Sequence, residues 1–223
     1  MREHAKYSPS SLNALHSCPS FLNKEGDNQY SIEGTELHEI MEKGIILEPG
    51  DPRFRLISKC RRMEREIVSS RIDICRDYRY YRELRLSTPY KDLWGTLDVL
   101  YLQDGVAVAI DYKFGYRQIE DVKDNLQAKS YVLGIFHNFP EIMEICFCFI
   151  CPRQRNGYEF SIGKFYRDDD CVFLSKEVYG IINYISKNRG KCYNPSHSYC
   201  VNCQSFIICE EVKNRIKVFI DSL

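Results

Sequence analysis

The chain has 223 residues, enough to bury one full hydrophobic core, and its 31 basic and 31 acidic residues cancel. That balance excludes an overall positive field that would bind nucleic acid indiscriminately, so any such binding rests on a local patch. Apolar residues make up 44% of the chain, with 16 Tyr and 12 Phe, which excludes a disordered or fibrous polypeptide.

The opening MREHAKYSPSSL lacks the apolar stretch of a signal peptide. The longest apolar run, Ile145 to Cys151, is too short to span a bilayer, so a cytoplasmic protein with no membrane partner is expected. Ser8-Pro9 heads a short helix that ends at Cys18-Pro19, because proline fits a first helical turn and cannot continue a helix. A second helix is expected from near Gly34-Thr35 through Leu47, and a third from Pro52 to about Cys75 with Phe54, Ile57, Met63 and Ile67 on one face. The basic runs at 53–65 and 76–85 read more readily as solvated faces than as DNA-binding patches.

Beyond Tyr80 the pattern changes. Tyr80 to Leu86, Leu93 to Leu102 and Val106 to Lys113 are rich in aromatic and β-branched residues, and Asp104-Gly105 predicts a tight hairpin between the last two. Ile119 to Phe136 returns to helical spacing, Glu144 to Cys151 predicts a strand buried on both faces, and the acidic 168–170 run starts a helix through Ile185. The expected fold class is α/β, a mixed central sheet flanked by helices in a single domain. Its parts are a helical segment at 1–78, a sheet core at 79–152 and a C-terminal helical, Cys-rich segment at 153–223. Gly157 to Lys164 resembles a phosphate-binding loop only faintly: it has one residue too many between its glycines and Phe165 where Ser or Thr is needed, so nucleotide hydrolysis is rejected.

The predicted hairpin brings Asp98, in GTLD, towards Asp111, in IDYK. Two converging carboxylates suit a hard divalent cation such as Mg²⁺ or Mn²⁺, which keeps open positions for water and a phosphate. Lys113, two residues beyond Asp111, points to the same side of the strand, where a cation acidifies an attacking water and offsets charge on a scissile phosphate. Asp111 follows VAVAI, so its charge emerges from a buried strand and needs a partner. Glu83 has two open readings, positioning a metal or its water, and an ion pair with Arg82 or Arg85.

Eleven cysteines in a reducing compartment form no disulfide framework. Cys200, Cys203 and Cys209 are three clustered thiolates that need a fourth ligand, either Cys18 beside Pro19 or Cys192, for an iron-sulfur cluster or a zinc ion. Cys60, Cys75, Cys146, Cys148, Cys151 and Cys171 read as small buried apolar residues.

ELRL at Glu83, GTLD ending at Asp98, IDYK ending at Lys113 and Q-x-x-x-Y at Gln127 and Tyr131 occur in the order of the RecB-like PD-(D/E)XK nucleases. The chain resembles that family, which includes CRISPR-associated exonucleases, the AddB nuclease domain and phage-borne relatives. The resemblance implies a restriction-endonuclease-like core and metal-dependent hydrolysis of DNA, from a single-stranded or exposed end. It implies His38, in GTELH, Asp98, Asp111 and the backbone carbonyl of Tyr112 as metal ligands, and Lys113 as the catalytic lysine. Glu83 would assist, and Gln127 and Tyr131, on one helix face, would support DNA binding and the lysine. It further implies that Cys18, Cys200, Cys203 and Cys209 hold a structural [4Fe-4S] cluster stapling the chain ends. No motor motif is present, so coupling to unwinding or recombination requires a helicase or recombinase partner. The rival reading is a catalytically idle DNA-binding or recombination-accessory protein of the same fold.

Overall fold

The structure is a computed structural model that describes residues 5–23, 29–155, 157–195 and 197–221. Three helices, α1 (Pro9–Ser17), α2 (Gln29–Glu42) and α3 (Phe54–Ser69), lead into strands β1 (Arg79–Ser87), β2 (Trp94–Gln103) and β3 (Val106–Tyr112). Helix α4 (Leu126–Asn138) then crosses over to β4 (Glu144–Ile150). After β5 (Phe160–Tyr166) come the long helix α5 (Arg167–Asn188), the single turn α6 (His197–Cys200) and α7 (Glu210–Asp221). The strands form one mixed sheet in the order β1-β2-β3-β4-β5, with β3 and β4 parallel and every other pair antiparallel.

The β2-β3 turn forms as the Asp-Gly pair predicts, with Asp104 at φ 47° and Gly105 at φ 80°, the mirror-image turn that matches strand twist. β4 is buried on both faces. Ile145, Phe147 and Phe149 enter the core under α1, α4 and α5, while Cys146, Cys148 and Ile150 enter the core under α2 and α3. The site is therefore held by a sheet that is rigid from both sides. Cys60, Cys146, Cys148 and Cys151 are small core residues as expected, and burial pushes the Cys60 thiol up to about 12, which makes it inert. Cys75 is exposed and Cys171 only half-buried, contrary to expectation, because Cys75 lies in the turns after α3 and not on it.

Two other expectations are corrected, and a third holds. α2 starts upstream of Gly34 and stops at Glu42. α4 begins at Leu126 rather than Ile119, because 121–124 is a turn and Asn125 caps the helix, its Oδ1 accepting the amide N–H groups of Gln127 and Ala128. The segment around Lys164 is an edge strand, β5, in which Lys164 pairs with Glu144 at 3.0 Å, consistent with rejecting a phosphate loop.

Gly95 marks a close approach of three elements. A Cβ there would lie 2.7 Å from the Pro9 ring and 3.3 Å from the Tyr131 ring. Proline is rigid and Tyr131 is tied by its hydroxyl to the Thr96 carbonyl at 2.6 Å, so neither yields easily. Gly95→Ala is expected to destabilise the protein by about 1–3 kcal/mol in chemical denaturation, the usual cost of overpacking.

Candidate active site

The site forms where β1, β2 and the end of β3 meet α2 and α4. Asp98 on β2 sits between two donors: Nδ1 of His38 lies 3.3 Å from its Oδ1, and the Tyr112 amide N–H donates to its Oδ2 at 2.6 Å. His38 comes from α2 and rests its ring edge on Phe114, with centroids 5.0 Å apart. Glu83 occupies the β1 position opposite Asp98, between the pairs Arg82↔Val99 and Leu84↔Leu97. Its φ of 47° is left-handed, a conformation that costs a non-glycine residue about 1–2 kcal/mol and that the surrounding ladder must enforce. The result is that His38, Glu83 and Asp98 each offer a ligand atom within 4.8 Å of the others, and among the described residues they form the sole such group of three or more.

Asp111 stands beside this trio and not inside it. It is 4% exposed, and its Oδ1 accepts the Gln127 side-chain amide at 3.0 Å. Its Oδ2 lies 2.5 Å from Lys113 Nζ, an ion pair whose angles do not make a hydrogen bond. Lys113 Nζ instead donates to Gln127 Oε1 at 2.9 Å, so a single amide from α4 orients both the carboxylate and the lysine. Gln127 and Tyr131 are themselves buried, and Tyr131 reaches β2 through the Thr96 carbonyl. Tyr112 is held at two points, its amide donating to Asp98 and its hydroxyl, buried under α3, donating to Glu64 at 2.6 Å.

The electrostatics are those of an acidic pocket short of positive charge. Burial, then the neighbouring Asp98 and Glu42 charges, push Glu83 up to about 7. Asp111 is pushed up to about 6 by burial and Asp98, against the pull of Lys113. For His38, burial disfavours the charged form, but the hydrogen bond to Asp98 and the Asp98 and Asp111 charges outweigh it and raise its pKa. Oxygen and imidazole donors packed this closely fit a hard divalent cation, whose charge would offset the burial and carboxylate repulsion that raise the Glu83 and Asp111 pKa values.

Behind the site lies a buried polar network invisible in the sequence pattern. Glu64 of α3, 4% exposed, accepts from Arg82 at 3.0 Å, Tyr101 at 3.0 Å and Tyr112 at 2.6 Å. It thereby ties α3 to all three strands that carry site residues. Glu64→Ala is expected to cost about 3 kcal/mol in urea unfolding, because the half-buried Arg82 loses its carboxylate and two tyrosine hydroxyls lose their acceptor.

Cys18, Cys200, Cys203 and Cys209 line one enclosed cavity together with Phe21, Tyr199 and Phe206. Cys192 does not line it. The Asn194 amide points at Cys18 Sγ from 3.5 Å, and burial raises the Cys18 thiol pKa, with the Cys200 and Cys203 charges adding to the effect. Chain ends meet here: the Gln204 amide donates to the Leu22 carbonyl at 2.9 Å, and Ser20 Oγ to the Cys192 carbonyl at 2.7 Å.

A family model described as a protein of unknown function, DUF2800, matches residues 66–166. No curated protein matches the chain. Among solved structures, the chain is similar to an alkaline exonuclease from Laribacter hongkongensis, with 12% identity, a TM-score of 0.34 and coverage of 82% of this chain and 88% of that one. The same exonuclease in complex with dAMP matches with 12% identity, a TM-score of 0.34 and coverage of 81% and 88%. A phage related exonuclease from Haemophilus somnus 129PT matches with 10% identity, a TM-score of 0.36 and coverage of 83% and 95%. No helix among the described residues is long and apolar enough to cross a membrane. The family match takes in Glu83, Asp98, Asp111 and Lys113, and leaves His38 and the four cavity cysteines outside it.

Proposed function

We propose that the chain is a metal-dependent DNA nuclease of the RecB-like PD-(D/E)XK type, working from an exposed strand end in a reducing, cytoplasmic setting. The observation that carries this reading is the His38, Glu83 and Asp98 trio set beside the Asp111 and Lys113 pair, with His38 and Glu83 opening onto a cleft. His38, Asp98 and Glu83 would hold Mg²⁺ or Mn²⁺, with Asp111 and the Tyr112 backbone close by. Such an ion, when bound, polarises a scissile phosphate and acidifies water.

The protein's own groups do the positioning. The Lys113 ammonium, held by Gln127 and paired with Asp111, is placed to orient a water and to offset negative charge developing on phosphate oxygens. Asp98 is fixed by the Tyr112 amide on its Oδ2, which leaves Oδ1 beside His38 for the ion. The test is digestion of linear and circular single-stranded DNA with Mg²⁺ or Mn²⁺. Loss of linear DNA alone, abolished by EDTA, is the expected result; intact DNA under every metal would favour an idle DNA-binding role.

We further infer that Cys18, Cys200, Cys203 and Cys209 hold a structural [4Fe-4S] cluster. The four cysteines line one cavity, and a closed set of four soft thiolates suits such a cluster. A helicase or recombinase partner would supply the strand end that this chain, lacking a motor motif, does not generate.

A further inference from the structure

An open cleft of about 940 Å³ runs from His38 and Glu83 along the β1-β2 ribbon to Arg85, Trp94 and Thr96. The strand register explains why these residues share a face. Arg85 is paired with Thr96 and Ser87 with Trp94, in the same alternating row as the Glu83 and Asp98 positions. Arg85 is thus one two-residue step, roughly 7 Å, from Glu83, and Trp94 two such steps, roughly 13 Å, from Asp98. Arg85 lies flat over the indole, its guanidinium carbon 3.7 Å from the ring centroid. The opposite wall of the cleft carries Glu39, Glu42 and Lys43, with Lys43 paired to Glu39.

We propose that Arg85 and Trp94 form a nucleobase-stacking platform that seats the end of a single DNA strand beside the metal trio, an inference that rests on the nuclease reading above. A half-buried tryptophan bearing a stacked guanidinium offers two planar surfaces of the kind bases stack on, and the arginine adds charge for the flanking phosphate. Stacking is indifferent to base identity, so the platform binds strand ends without sequence preference. Nothing in the motif order marks these two residues, because their meeting depends on strand register.

Trp94 is the chain's single tryptophan, so its emission reports on this site alone. The test titrates the full-length protein, with Ca²⁺ in place of Mg²⁺ to prevent cleavage, with a short dye-labelled single-stranded oligodeoxynucleotide, following Trp94 emission and dye anisotropy together. Saturable quenching with the Kd given by anisotropy is expected. Arg85→Gln and Trp94→Ala should raise that Kd roughly tenfold or more, the loss one base stack gives, while Trp94→Phe retains most of the affinity. Far-ultraviolet circular dichroism checks that each variant is folded. Binding by anisotropy, or cleavage in Mg²⁺, with unchanged Trp94 emission and an unchanged KM in Arg85→Gln would overturn the platform and leave the nuclease reading standing. Absence of both binding and metal-dependent cleavage would overturn the nuclease reading and the platform with it.

Discussion

Lys113→Ala is expected to lower the rate of DNA cleavage by about 10³-fold while leaving Mn²⁺ bound, as read by electron paramagnetic resonance. The separation follows from geometry. Lys113 touches Asp111 and Gln127 and none of the His38, Glu83 and Asp98 ligand atoms, so its loss removes charge at the reacting phosphate without opening the trio. Asp98→Ala should behave differently and lose Mn²⁺ together with activity, because Asp98 joins His38 to the Tyr112 amide. Equal metal loss in both variants would mean that the lysine maintains the site and takes no part in the chemistry.

Cys203→Ser is expected to cost the protein its iron and its brown colour, and to open the C-terminal segment to protease. The four-cysteine cavity joins positions nearly two hundred residues apart, and closing a loop of that length is worth about 5 kcal/mol by chain entropy. What remains without it is a few backbone hydrogen bonds, such as Gln204 to Leu22, on a surface exposed to water. Cys192→Ser should keep its iron, since Cys192 stands outside the cavity. One zinc per chain and no iron in the unaltered protein would contradict the cluster assignment.

Features that depend on a few adjacent residues were legible in the sequence. The Asp104-Gly105 turn, the buried β4 run and the approach of Asp98 to Asp111 follow from turn chemistry and strand period. The start of α4 was misplaced because a turn of polar residues and an Asn cap can sit inside an apparently helical spacing. β5 is hidden by Gly163 within the strand and Gly157 shortly before it. The left-handed Glu83, which brings a third acid against Asp98, has no local signature; a glutamate in a β-rich run gives no hint of positive φ. The Glu64 network and the Arg85-Trp94 stack join residues 18 to 48 and 9 positions apart through tertiary packing, which no periodicity encodes.

The most direct measurement of the central claim is the rate at which end-labelled DNA is degraded by the unaltered protein and by Asp111→Ala, purified side by side without oxygen and assayed with Mn²⁺. Metal-dependent release of label by the unaltered protein, lost in the variant, is the predicted result. Equal traces of degradation from both, or none from either, would contradict it and make the acidic cleft a feature of a DNA-binding protein without nuclease chemistry.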